Sequence, residues 1–275
     1  MKIILSRKGF DSKFGGYPSP ILSDGTLLSL PVYADNENEK VAYEQLHYGG
    51  KSYAQIIAEL TKGKFTEKKC HLDPDIRKDI LLSRPDGWKP AFGQSNAAMK
   101  HLINKKVKEG DLFLFFGYFQ DAEEIDGNYQ YVRGSKQKHI IWGYLQIGKI
   151  LSMPTKKEYP WLEPHPHLDR QDKLNNTIFV ARDKLSWDEN KFGAGTLNVK
   201  NNHDLVLTKE KMSRSCWQLP DFMKDVEISY HTKDSWKDDY FKSAEIGQEF
   251  VISSEKEDLM LELQNWASGL ISKGQ

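Results

Sequence analysis

V-K-E-G-D-L-F-L-F-F-G-Y-F-Q, residues 107–120, and H-I-I-W-G-Y-L-Q-I-G-K-I-L, residues 139–151, are the two longest apolar, aromatic runs in the chain. Leu112–Phe119 is apolar or glycine throughout, the pattern of a strand buried on both faces. Ile140–Ile150 has the same character. Between them the insert 120–137 carries Gly127, Asn128, Gly134 and Ser135, which mark a loop. The expectation is an antiparallel strand pair with a long polar connection, set at the centre of a sheet. Gly117 and Gly143 lie inside these strands. Glycine weakens a strand unless a bend, a bulge or a close approach requires it. A strongly curved, mixed or antiparallel sheet fits better than a flat one.

Working outward, Lys2–Leu5 reads as a short strand, followed by the turn-rich stretch S-R-K-G-F-D-S-K-F-G-G-Y-P-S-P-I-L at 6–22. Glycine-rich backbone beside Arg7 and Lys8, with Asp11 near, can form a nest of N–H groups for an anion; equally, the glycines serve only as turns. Asp35–Glu39 is polar and expected at the surface. Ser52–Leu60 carries an i, i+3, i+4, i+7 apolar stripe, with Ser52 as N-cap and Gly63 as the stop. In C-H-L-D-P-D, 70–75, His71, Asp73 and Asp75 offer three metal-binding or acid/base groups within five residues. The alternative is a capped turn before a helix at Ile76–Leu82. Gln94, Ser95 and Asn96 fall at the start of a helix containing His101, where free N–H groups face solvent or ligand.

Beyond the strand pair, W-L-E-P-H-P-H at 161–167 places His165 and His167 around a stiff proline. In an extended segment the two imidazoles would share a side. Strands are expected at 176–185, 205–208, 226–230 and 249–252, with a glycine turn at 192–197. Trp217 is either a stacking platform or core. The chain closes with a helix from about Glu255 to Leu270, capped by Ser254 and Glu257.

Composition bounds the answer. The 275 residues balance 39 basic against 39 acidic side chains, so bulk charge does not make this a nonspecific polyanion binder. Two distant cysteines suggest a reducing, cytoplasmic setting. The N-terminal apolar run is too short for a signal peptide, and no stretch reads as a membrane span. With helices and strands interleaved and no linker, a single α+β domain over residues 1–275 is expected.

Taken together, S-R-K-G-F-D-S, G-G-Y-P-S-P-I-L, the F-G-Q…H-L…G-D-L-F-L-F-F-G series at 92–117, I-I-W-G-Y-L-Q-I-G at 140–148, H-P-H and S-C-W-Q-L-P at 215–220 resemble the nucleotide modification associated domain family of the third type. The resemblance spans nearly the whole chain. It implies a role in modifying nucleotides or DNA bases, or in handling the modified forms, and carries over no catalytic residue. The strand pair also looks like the core of PUA-like barrels, including the EVE type, which hold a flipped base. Two readings follow. An enzyme would use His71, His101, His165 and His167 for catalysis and His71, Asp73, His165 and His167 for a divalent metal ion. Arg7, Lys8, Asp11, Gln94, Asn96 and Trp217 would bind a nucleotide or DNA base. A binding module would instead recognise modified bases without catalysis, stacking them on Trp142 or Trp217 and reading their edge with Gln94 or Asn96.

Overall fold

The structure, a computed structural model, describes residues 1–34, 39–244 and 249–275. Ten strands form one mixed sheet: β1 (Ile3–Arg7), β2 (Ser19–Ile21), β3 (Ala91–Gln94), β4 (Leu112–Ile125), β5 (Asn128–Tyr131), β6 (Lys138–Ser152), β7 (Thr177–Ala181), β8 (Ala194–Thr196), β9 (Glu227–Ile228) and β10 (Glu249–Ser253). The central path runs β9-β10-β1-β4-β6-β7-β3, with β2 and β5 on β4 and β8 on β6. The long apolar runs are indeed the antiparallel central pair, β4 and β6. Leu112–Phe119 is buried at every position. The insert is shorter than its polar sequence suggests, because β4 continues to Ile125 and turns through Asp126–Gly127 into β5.

The two strand glycines have distinct reasons. A side chain on Gly117 would stand 2.7 Å from the Lys8 carbonyl, so the glycine lets the segment after β1 pass close against β4. At Gly143 the ladder shifts register between Ile141 and Gly143, a bulge that bends β6. The sheet curls around Phe92, Phe113, Phe115 and Phe179, whose rings pack at centroid distances of 4.8–6.0 Å. Its far strands, β3 and β10, come close enough for Gln94 Nε2 to donate to Glu249 Oε1 at 2.6 Å. No backbone ladder joins those two strands among the described residues, so the sheet closes no barrel. The PUA-like core is therefore not seen: the curvature is present and the closure is not.

Three helices flank the sheet: α1 (Tyr53–Thr61), α2 (Asn96–Asn104) and α3 (Glu257–Gly274). Ser52 caps α1, accepting the Gln55 N–H at 3.2 Å, and buries Tyr53, Ile56, Ile57 and Leu60 as the stripe requires. The C-terminal helix starts later than its expected capping box, at Glu257, since Ser254 Oγ instead accepts the Lys256 N–H. Residues 76–82 form only a short 3-10 turn, Lys78–Ile80, and 192–197 is mostly strand rather than turn. Of the stretch 35–39, residues 35–38 lie outside the described residues; Glu39, expected at the surface, is buried. Both cysteines are buried free thiols. Among the described residues no helix is long and apolar enough to cross a membrane.

A candidate metal centre at the edge of the sheet

Strand β3 is the end of the ladder path, and the C-H-L-D-P-D segment lies along its outer edge. Asp75 and Ala91 exchange both backbone hydrogen bonds, at 2.9 and 3.0 Å, and Asp73 Oδ1 accepts the Gly93 N–H at 2.7 Å. This edge pairing fixes the Asp73 carboxylate. His71 is held by its own N–H, donated to the Val32 carbonyl. His167 arrives from the opposite direction. The H-P-H segment is a turn rather than an extended strand, and it folds back so that the His167 N–H donates to His165 Nδ1 at 3.2 Å. The His167 ring then lies flat against Gly93, where any Cβ would come within 2.3 Å of it.

These elements bring one atom each from His71, Asp73 and His167 within 4.8 Å of one another. His71 Nε2 and His167 Nε2 are each 3.9 Å from Asp73 Oδ2. The outer nitrogens are already committed. His71 Nδ1–H donates to Glu39 Oε1 at 2.9 Å. His167 Nδ1–H donates to Asn176 Oδ1 at 2.8 Å, while Asn176 Nδ2 donates back to the His167 carbonyl. With both Nδ1 atoms as donors, a neutral ring carries its lone pair on Nε2. Burial pushes the His167 imidazole down to about 3, so that ring is neutral at pH 7. Burial would raise the Asp73 carboxyl, but its interactions with His165, His167 and Lys8 outweigh it and hold the group well below the usual carboxylate range. The His167 Nε2 lone pair thus faces the Asp73 carboxylate, with His71 Nε2 at the same distance from it. Two imidazole nitrogens and a carboxylate oxygen at this spacing are a donor set that could hold a metal ion. Imidazole outer nitrogens bonded to a carboxylate and an amide are the customary support of metal-binding histidines.

The remaining expected residues divide sharply. His165 is buried beside the cluster, its Nε2 3.5 Å from Asp73 Oδ1 but too far off line for a hydrogen bond. Because its Nδ1 accepts the His167 N–H, its proton sits on Nε2, facing Asp73. Lys8 and Gln94 come together on a second buried carboxylate, Glu249, whose Oε1 also accepts from Ser6 Oγ at 3.2 Å. Lys8 Nζ lies 4.5 Å from the Phe92 ring centroid and is near enough to Asp73 to lower its pKa.

Arg7 does not join Lys8. It is the last residue of β1, and its guanidinium lies over Phe116 and donates to the Ala244 carbonyl. Strand alternation sends Arg7 and Lys8 to opposite faces, so the anion nest expected at 6–22 does not form around the pair. Asp11 Oδ1 is taken up by the N–H groups of Lys13 and Phe14. Asn96 ties α2 to Leu174 by donating its own N–H and accepting the Leu174 N–H. His101 Nε2 meets Ser229 Oγ at 3.0 Å, with its ring on Tyr230, away from the cluster. Trp217 is buried, its Nε1–H shared between His139 Nδ1 and the Arg214 carbonyl, and Trp142 is buried too. Neither ring is a stacking platform. Asp75 is bound bidentately by Arg84, at 2.6 and 2.8 Å, and accepts from Trp88 Nε1; it serves structure.

Glu39, Asn176 and Glu249 were missed by sequence reasoning. Glu249 alone left a signal: it opens the apolar run E-F-V-I, where a carboxylate facing inward must have partners. No curated protein and no solved structure gives a significant match to this chain. The family model described as nucleotide modification associated domain 3 matches residues 2–253. This coverage, together with the motifs distributed along the whole sheet, means that the chain belongs to the nucleotide modification associated domain 3 family.

Proposed function

We infer that the protein is a metal-dependent enzyme that modifies a nucleotide or a DNA base. The observation that carries this reading is the convergence of His71 Nε2, Asp73 Oδ2 and His167 Nε2 with both outer nitrogens already bonded to Glu39 and Asn176. Those three side chains would hold the ion. Two imidazoles and one carboxylate suit iron(II), zinc(II) or manganese(II) and leave coordination positions for water or substrate. Such an ion supplies Lewis acidity toward a phosphoryl or carbonyl oxygen, or a water made more acidic.

The chain's own residues support this chemistry in separate ways. Glu39 and Asn176 set the ring tautomers. Gly93 gives the His167 ring its place and, through its N–H, aims Asp73. His165 stands beside the far oxygen of Asp73, its Nε2 3.5 Å away without a hydrogen bond to it. Lys8, bonded to Glu249 and close to Asp73, is a cation that would meet a phosphate. The family assignment supports the nucleotide as substrate. Nothing in the site favours the base-reading module, whose proposed platforms Trp142 and Trp217 are buried and whose Gln94 is bound to Glu249.

Metal analysis of protein purified without chelator tests the reading. One transition-metal ion per chain is expected, lost in His71→Ala, Asp73→Ala and His167→Ala, together with conversion of nucleotides or DNA bases followed by mass spectrometry. A folded, metal-free wild-type protein that also takes up none of the three ions would overturn it.

A further inference from the structure

An open cleft of about 760 Å³ lies over β6 and β7. Leu151, Val180 and Ala181 lie along its floor. Tyr159 and Trp161, both half-exposed, stand along one side, and the hairpin 182–192 along the other. Four cations line it, Lys89, Lys149, Arg182 and Lys184, against two acids, Asp183 and Glu189. Asp183 is already neutralised by Lys89 at 2.8 Å. A chain with no net charge therefore concentrates positive charge at one groove that also offers two aromatic rings.

The groove's charge depends on a built feature of the sheet. In a regular strand Ile147 and Lys149 would share a face. Here β6 shifts register against β7 between these two residues: Ile147 pairs with Ala181 and Lys149 with Val180. The extra residue, Gly148, turns Lys149 onto the Val180 face while Ile147 stays in the core. Gly148 must lack a side chain, because a Cβ would stand 2.7 Å from the Arg182 backbone nitrogen. Lys149 Nζ then lies 5.5 Å from the Tyr159 ring centroid.

The groove and the metal centre share one loop, in which Tyr159 and Trp161 line the groove and His167 follows six residues after Trp161. Leu162 and Leu168, on either side of H-P-H, share an apolar cluster with Leu151 and Val180. Val180 pairs with Ala91, and Ile178 with Gly93, on which His167 rests. From Val180 to Ile178 is about 7 Å along the strand.

We propose that this groove binds single-stranded nucleic acid, stacking bases on Trp161 and Tyr159 and placing phosphates on Lys149 and Arg182. The substrate of the metal centre is then a base or nucleotide unit within a polymer. This extends the enzymatic reading above and relies on it for the chemistry, but the binding stands by itself. Positively charged grooves with aromatic platforms hold single strands without reading their sequence.

Anisotropy of a fluorescein-labelled oligodeoxythymidylate of about 12 nucleotides, titrated with full-length protein at several salt concentrations, provides the test. Trp161→Ala should weaken binding roughly 5- to 100-fold, while Trp161→Phe, which keeps a ring, should retain most of it. Arg182→Ala should reduce the slope of log affinity against log salt by about 0.7. Absence of wild-type binding, or binding indifferent to all three substitutions, overturns the proposal. So does polyglutamate that competes as well as the oligonucleotide and responds to the same changes, because an acidic peptide would then be the ligand. His71→Ala in the presence of chelator should leave oligonucleotide binding intact. Wild-type protein that binds the oligonucleotide but takes up no metal counts against the enzyme alone, and wild-type protein that takes up metal but binds no oligonucleotide counts against the groove alone.

Discussion

Gly93→Ala separates a folded sheet from a working metal centre. The added Cβ would lie 2.3 Å from both Cγ and Cδ2 of His167, whereas ordinary contact begins at 3.4 Å. Either the imidazole retreats by about 1 Å or β3 moves outward by the same amount. The first breaks the 2.8 Å bond from Nδ1 to Asn176 and swings Nε2 away from Asp73. The second lengthens the 2.7 Å bond by which Gly93 N–H holds Asp73. Both routes spoil the same three-atom site. Overpacking of this size costs about 1–3 kcal/mol of stability, and a domain this large loses about 2–4 °C in melting temperature per kcal/mol. Loss of outer support to a metal ligand lowers affinity about 10- to 100-fold. Calorimetric titration with zinc(II) or manganese(II), alongside thermal unfolding, reads both quantities. A variant that melts a few degrees lower yet binds metal as tightly as the wild type would refute the placement of His167 Nε2 among the ligands.

Glu39→Gln should keep the fold and weaken the metal about 10- to 100-fold, because an amide orients the His71 ring less firmly than a carboxylate; unchanged affinity by titration would remove Glu39 from the site's support. Arg84→Ala should destabilise the protein by about 3–5 kcal/mol in urea unfolding, since it strands the buried Asp75 carboxylate; a loss under 1 kcal/mol would mean that water reaches Asp75. His139 is held well below its ordinary pKa, first by burial and then by Arg7 and Arg214. The folded state therefore binds fewer protons than the unfolded chain, and stability should be level above about pH 6.5 and fall below it by up to about 1.4 kcal/mol per pH unit for this group. His139→Gln, whose amide oxygen can still accept from Trp217 Nε1, should flatten that slope by one proton; identical slopes for variant and wild type would show that His139 takes up its proton while folded.

The central strand pair was legible because burial on both faces leaves an unbroken apolar run, and nothing else in the chain competes with it. His71, Asp73 and His167 were legible as residue types clustered in polar turns. Their convergence was not, since it depends on an edge-strand pairing between residues 73–75 and 91–93 that no local pattern announces. The anion nest failed for a reason the sequence did contain. Extending the first strand by two residues, to Arg7, makes Arg7 and Lys8 alternate, and alternation alone separates their charges.

The sequence pointed to Gly117 and Gly143 within the strand pair, and to neither Gly93 nor Gly148. In the structure each glycine is where a functional side chain is aimed, His167 in one case and Lys149 in the other. If the two sites are separate neighbours, substitution at each glycine should disable one and spare the other. Gly93→Ala should spare oligonucleotide binding and lose the metal. Gly148→Ala, by forcing the bulge out and returning Lys149 toward the core face, should spare the metal and weaken the oligonucleotide. Measuring both ligands on both variants gives four numbers. A variant that loses both ligands while keeping its fold would mean that the loop at 159–167 transmits the strain, and that the site and the groove are a single cooperative unit rather than two neighbours.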